Sequence, residues 1–252
     1  HLSIRRQRQM CIRDRTGTVQ VNALNGVADW STAATALGKN GTIGSKTLTF
    51  SSSGLTDATQ TFLLTHGVAY QLAMTSPATL VNDTAFGTQP VVTIQDRDGN
   101  TVTTGSDASQ TVTLSSNNSD IGGTTSMNAN AGVANFSNKG VKLTGLVGSR
   151  NLTATIASPS SIVVTNTVTI TFGAANKLAV TTPGAGAIND VAFTTQPVVT
   201  VQDISGNTVT NSNASVLASV NGVVLGGTTS RAASSGVATF TNLKLTGSTA
   251  SY

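Results

Sequence analysis

The sequence predicts an all-β chain built as β-sandwich units in series, and three observations carry that expectation. Glutamate is absent and charged residues make up only 10% of the chain, while Thr, Ser, Asn and Gly fill the surface. Apolar and small polar residues alternate in runs of four to eight, the period of a strand with one buried face. Long stretches of the sequence return after about 107 residues.

The chain begins HLSIRRQRQMCIRDR, with five arginines, the only cysteine and one of two histidines. Read alone, it is a basic arm suited to phosphates. However, residues 5–15 match a translated sequencing adapter. The primer segment CGT CGG CAG CGT CAG encodes Arg5 to Gln9, and the transposon-end segment ATG TGT ATA AGA GAC AG encodes Met10 to Asp14, followed by Arg or Ser. Residues 1–15 are therefore assigned as a non-native, adapter-derived segment and set aside. The whole chain is net +4, and nine basic and nine acidic residues remain after position 15. The remainder has no electrostatic reason to seek nucleic acid, and without Cys11 it has neither thiol chemistry nor cysteine-based zinc sites. No stretch approaches the roughly 20 apolar residues of a membrane helix, so no membrane insertion is expected in this segment.

Residues 16–66 read as the C-terminal part of a unit, 67–172 as a complete unit, and 173–252 as a unit truncated before its last strands. QPVVTIQDRDGNTVT at 89–103 returns as QPVVTVQDISGNTVT at 196–210. GVADW (26–30), GVANF (132–136) and GVATF (236–240) form a triplet, and GTIGSKTLTF (41–50) matches GLVGSRNLTA (145–154). The third unit stops at Tyr252, where another strand is expected, so the chain reads as part of a longer reading frame. Within a unit, Val92 and Ile94, Val112 and Leu114, and Leu152, Ala154 and Ile156 alternate with polar residues. Gly, Asn, Asp and Pro clusters punctuate these runs. About seven short strands per unit is the count of an immunoglobulin-like sandwich. Expected core residues are Val92, Ile94, Val112, Leu114, Val133, Phe136, Leu143, Leu152 and Ile156, then Val199, Val201, Val237 and Phe240. Only GAANK separates Phe172 from Leu178, a joint short enough to restrict the angle between neighbours.

The pattern PVVTVQDxxGNTVT, a Thr/Ser-rich strand, GVATF and a following L-x-L-T-G resemble bacterial immunoglobulin-like tandem repeats, such as those of invasin- and intimin-type adhesins. The resemblance covers 16–252. It implies tandem immunoglobulin-like domains and is uninformative about activity, since such modules serve as spacers, adhesive units and enzyme accessories alike. The adhesive tip of that family has no counterpart in this sequence.

Chemistry-bearing residues are few. Asp96-Arg97-Asp98-Gly99-Asn100 resembles half a calcium loop, with Asp96, Asp98 and Asp203 as candidate ligands. Its second version, Asp203-Ile204-Ser205-Gly206-Asn207, lacks the middle carboxylate and retains Asp, Gly and Asn, the signature of a tight turn. Asn82-Asp83 and Asn189-Asp190 read as turns too. Calcium at an inter-unit site using Asp96 and Asp203 is the competing reading; no other cofactor is expected. His66 stands where Phe172 stands and is expected as a packed or half-exposed ring. Trp30 aligns with Phe136 and Phe240 and is expected in the core. One histidine and nine scattered aspartates do not make a general acid–base pair, so no enzyme is expected. The expected role is a structural or adhesive stalk of a large bacterial surface or secreted protein, at the cell surface or outside the cell. Its host-cell, matrix or glycan ligand would be held by a domain outside this sequence. Alternatives are an accessory module of a secreted polysaccharide-degrading enzyme and a phage or virion decoration domain.

Overall fold

A computed structural model of the chain describes residues 15–17, 20–31, 37–39, 41–157 and 161–247. The adapter-like stretch before Arg15, with Cys11, and the chain end at Tyr252 lie outside the described residues. Strands dominate, and a single 3-10 turn, Ser106–Ser109, is the one helical element among the described residues. No described helix is long and apolar enough to cross a membrane.

The segment 67–172 is sandwich-like. One sheet runs in the order Ser126–Asn128, Thr111–Ser116, Gly148–Ile156, Ile162–Thr171 and Thr79–Val81, antiparallel except for the last pair. A second sheet places Val91–Gln95 between Val133–Asn135 and Gln71–Thr75. Alternation aims one set of side chains from each sheet into a common core: Val92, Ile94, Val112, Phe136, Leu143, Leu152 and Ile156 have no exposed surface. Ten strands form here instead of about seven. Left-handed backbone at Asn118 and Gly123 isolates Asp120–Gly122 as a three-residue piece that pairs with Lys142–Thr144.

A second core gathers Val199, Val201, Val209, Val216, Ala233, Ala238, Phe240 and Leu243. Phe172, placed by the sequence at the end of the preceding unit, packs against this second core.

The hairpin turns explain the recurring Gly-Val-Ala. Asn25-Gly26, Ala131-Gly132 and Ser235-Gly236 each have two successive positive φ values, the two-residue turn that matches strand twist. Each is closed by a reciprocal bridge, Leu24 with Val27, Asn130 with Val133 and Ser234 with Val237. Leaving such a turn, the chain puts its second and fourth residues inside. Ala134 and Ala238 are fully buried, whereas Val133 and Val237 are only half-buried. The expectation for the two valines is therefore corrected: residues three apart on a strand face opposite ways, and Phe136 and Phe240 already occupy the inner face. Ala134 lies opposite Val92 and has no exposed surface. Ala134→Leu is expected to lower stability by about 1–3 kcal/mol through overpacking, and Val133→Thr by less than about 0.5 kcal/mol, measured by urea unfolding.

Trp30 also departs from expectation. It is half-buried, its ring tilted against Phe50 at 5.6 Å between centroids, while its counterparts Phe136 and Phe240 are sealed at 0% and 2% exposure. None of the described residues of the 16–66 segment belongs to either buried core, and the ring rests against Phe50 of the Gly44–Phe50/Ala58–Leu64 hairpin.

Candidate functional site

The polar residues that are both buried and recurrent lie at the joints between segments. Asn82, Asp96, Asp203 and Asn207 are 1%, 5%, 0% and 6% exposed. Burying a carboxylate is costly unless donors surround it, and here they do.

Each joint starts from a local turn. Asp203 Oδ1 accepts the Ser205 and Asn207 N–H groups at 3.0 and 2.9 Å, and Gly206 takes φ 90°. This is an Asx-type turn. Asp203 Oδ2 faces away from the turn. It accepts the Gly173 N–H at 2.9 Å, Asn207 Nδ2 at 2.9 Å and Asn82 Nδ2 at 2.8 Å. Asn82 comes from the preceding segment, where its Oδ1 accepts the Gly145 N–H at 2.8 Å. Asn207 reaches back likewise, donating Nδ2 to the Gly145 carbonyl at 2.9 Å and accepting the Val147 N–H at 2.8 Å. Ser205 Oγ accepts the second Asn82 bond, at 3.0 Å. The four side chains, Asn82, Asp203, Ser205 and Asn207, form a closed clasp across the joint.

The other joint repeats it. Asp96 Oδ1 accepts the Asp98 and Asn100 N–H groups, and Oδ2 accepts the Gly67 N–H at 2.9 Å. Asn100 donates Nδ2 to the Gly41 carbonyl at 2.9 Å and accepts the Ile43 N–H at 3.1 Å. Asp98 Oδ2 accepts the Gly41 N–H at 3.0 Å. An open cleft of about 380 Å³, lined in part by Leu64, His66, Gly67, Tyr70 and Asp96, lies beside this carboxylate.

Electrostatics follow from the donors. Burial by itself would raise the Asp203 pKa. Bonds from the Gly173 N–H, Asn207 and Asn82 outweigh burial and hold it at about 2, below its ordinary value of 3.8. The Asp96 pKa is lowered too: burial opposes, and the Gly67, Asn100 and Asp98 donors prevail. Asp83 is lowered chiefly by its bond to Lys142, and Asp190 by Lys244. These two pairs are partly exposed and add little stability.

Asp96 and Asp203 belong to different joints, one bonded to Gly67 and the other to Gly173. Both oxygens of each accept N–H donors, and Asp98 faces the Gly41 N–H. Among the described residues, no three His, Cys, Asp or Glu side chains gather to hold a metal. His66 is half-buried. Its Nδ1–H donates to the Gly67 carbonyl at 2.8 Å, and its Nε2 accepts the Thr104 N–H at 3.2 Å. Tyr70 carries the Arg97 guanidinium 5.7 Å above its ring. Asn82, read from sequence as a turn residue, is the side chain that sequence reasoning missed. Its signal was its return as Asn189 at the same place in the next segment.

Compared with known proteins, the chain matches no family model and no curated sequence.

Proposed function

We propose that the chain is a load-bearing spacer, a set of immunoglobulin-like units in series that belongs to the stalk of a large bacterial surface or secreted protein. The observation that supports this reading is the joint clasp: the same Asp and Asn side-chain bonds recur at residues 96–100 and 203–207, the Asn of each reaching into the preceding segment. A turn needs the Asp-to-backbone bonds alone. The additional bonds from Asn100 and Asn207 across the joint restrict bending, which serves a protein that must hold a terminal domain at a distance. A carboxylate whose two oxygens are filled with N–H donors is poorly suited to proton transfer, and the role is non-catalytic. Adhesion, where present, is carried by the displayed domain.

The test is a distance measurement across the second joint. With Cys11→Ser, spin labels on Val163→Cys and Val224→Cys, both exposed, should give one narrow distance distribution. Asp203→Asn should broaden it. A broad distribution in the otherwise unaltered chain would reject the spacer reading.

A further inference from the structure

The 67–172 segment runs its entering and leaving stretches side by side. From Met74 to Val81 the chain travels parallel to the end of Ile162–Thr171. Asn166 Nδ2 donates to the Met74 carbonyl and the Ser76 hydroxyl, both at 2.9 Å. The Thr169 N–H donates to the Ala78 carbonyl at 2.8 Å, and Thr79–Val81 pairs with Thr169–Thr171. The ladder closes where the Asn82 N–H donates to the Thr171 carbonyl at 3.0 Å. The first stretch is entered at its N-terminal end and the second is left at its C-terminal end. Tension along the chain therefore pulls two parallel strands in opposite directions along their length. Their bonds lie across that pull and share it, so they give way together.

Both strands end on one atom of the next segment. Asp203 Oδ2 accepts from Asn82, which follows Val81, and from the Gly173 N–H, just beyond Thr171. Asn207, from the same turn as Asp203, holds Gly145 and Val147. Those residues lead into Gly148–Ile156, the strand paired with Ile162–Thr171. Asn82, Asp203 and Asn207 are at most 6% exposed, so water competes little for these bonds. We propose that the clasp is a force-distributing staple. Tension arriving from 173–247 enters 67–172 at three places: the Gly173 backbone, the Asn82 side chain and the 145–147 loop. Sliding Ile162–Thr171 past Thr79–Val81 separates Gly173 from Asn82, and Asp203 resists because it holds both. While folded, the downstream segment thus raises the barrier to pulling its upstream neighbour apart. This staple deepens the spacer reading and rests on it for its use in the protein.

The test holds the full chain by its two ends in magnetic tweezers at constant force, where opening is governed by the unfolding rate. Opening of 67–172 releases roughly 35 nm of chain and opening of 173–247 roughly 25 nm, so each event is assigned by its length. The opening rate of 67–172 is measured twice, while 173–247 is folded and after it has opened. The second rate should exceed the first roughly tenfold, the effect of one hydrogen bond to a charged acceptor broken before the barrier is crossed. Asn82→Asp retains the Oδ1 acceptor for the Gly145 N–H and removes the donors to Asp203 and Ser205. In this variant the first rate should rise to meet the second, and the second should match that of the unaltered chain. Equal rates in the unaltered chain, or a difference that survives Asn82→Asp, overturns the proposal. Equal rates together with a narrow label distance across the joint would remove the staple and leave the spacer reading standing.

Discussion

Asp203→Asn is expected to destabilise the protein by about 2–4 kcal/mol at neutral pH, because it sets an amide NH2 against N–H donors in a fully buried site. Asp203 Oδ2 accepts from Gly173, Asn207 and Asn82, and Oδ1 from Ser205 and Asn207. A carboxylate accepts at every lone pair; an amide cannot, whichever way it is turned. The same logic predicts a pH dependence. The folded-state pKa of about 2 lies below the ordinary value of 3.8. The ionised form is therefore the one that folding favours. Its contribution, on the order of 2.5 kcal/mol, is fully present above pH 4 and is lost as pH falls from there through about 2. Urea unfolding of the unaltered chain and of Asp203→Asn across pH 2–7 should give curves that separate above pH 4 and converge toward pH 2. Parallel curves would show that the carboxylate charge is immaterial to the clasp.

Gly173→Ala and Gly67→Ala should diverge despite occupying the same position in the motif. A Cβ on Gly173 would stand 2.6 Å from the Asn82 carbonyl oxygen, backbone that is itself bonded to Thr171. The joint must open, at a cost of about 1–3 kcal/mol, and cooperative unfolding of the two segments should split. At Gly67 the nearest atom to a new Cβ is Asp96 Cβ at 3.6 Å, ordinary contact. There the substitution is expected to be neutral or to stabilise by up to about 1 kcal/mol, since alanine lowers the entropy of the unfolded chain. Equal effects at both glycines, read by differential scanning calorimetry, would mean that the Asn82 loop does not close on Gly173.

Both experiments address a site only partly legible in the sequence. The Asp-x-x-Gly-Asn turn could be read directly, because an Asx turn and a positive-φ glycine act over four residues. The reading of Asn82-Asp83 as a turn was accurate for Asp83, with φ 57°, yet it omitted what Asn82 does. Its partner Asp203 is 121 residues away, and no local pattern specifies which surface will face an amide. Trp30 shows the same limit. Alignment with Phe136 placed it in a core, but burial requires neighbours, and among the described residues Trp30 is only half-buried where Phe136 is sealed.

What the sequence by itself determined is the all-β class, the alternation of inner and outer side chains along the strands, and the turns at Gly99 and Gly206. These rest on steric limits of φ and on a side-chain period of two, both set within a few residues. Only the tertiary structure decided that Ala134 rather than Val133 faces the core, that Phe172 packs forward into the next segment, and that an aspartate turn becomes a clasp between segments. Those outcomes depend on surfaces brought together by pairing at long range, where burial and donor supply, not local propensity, set the energy.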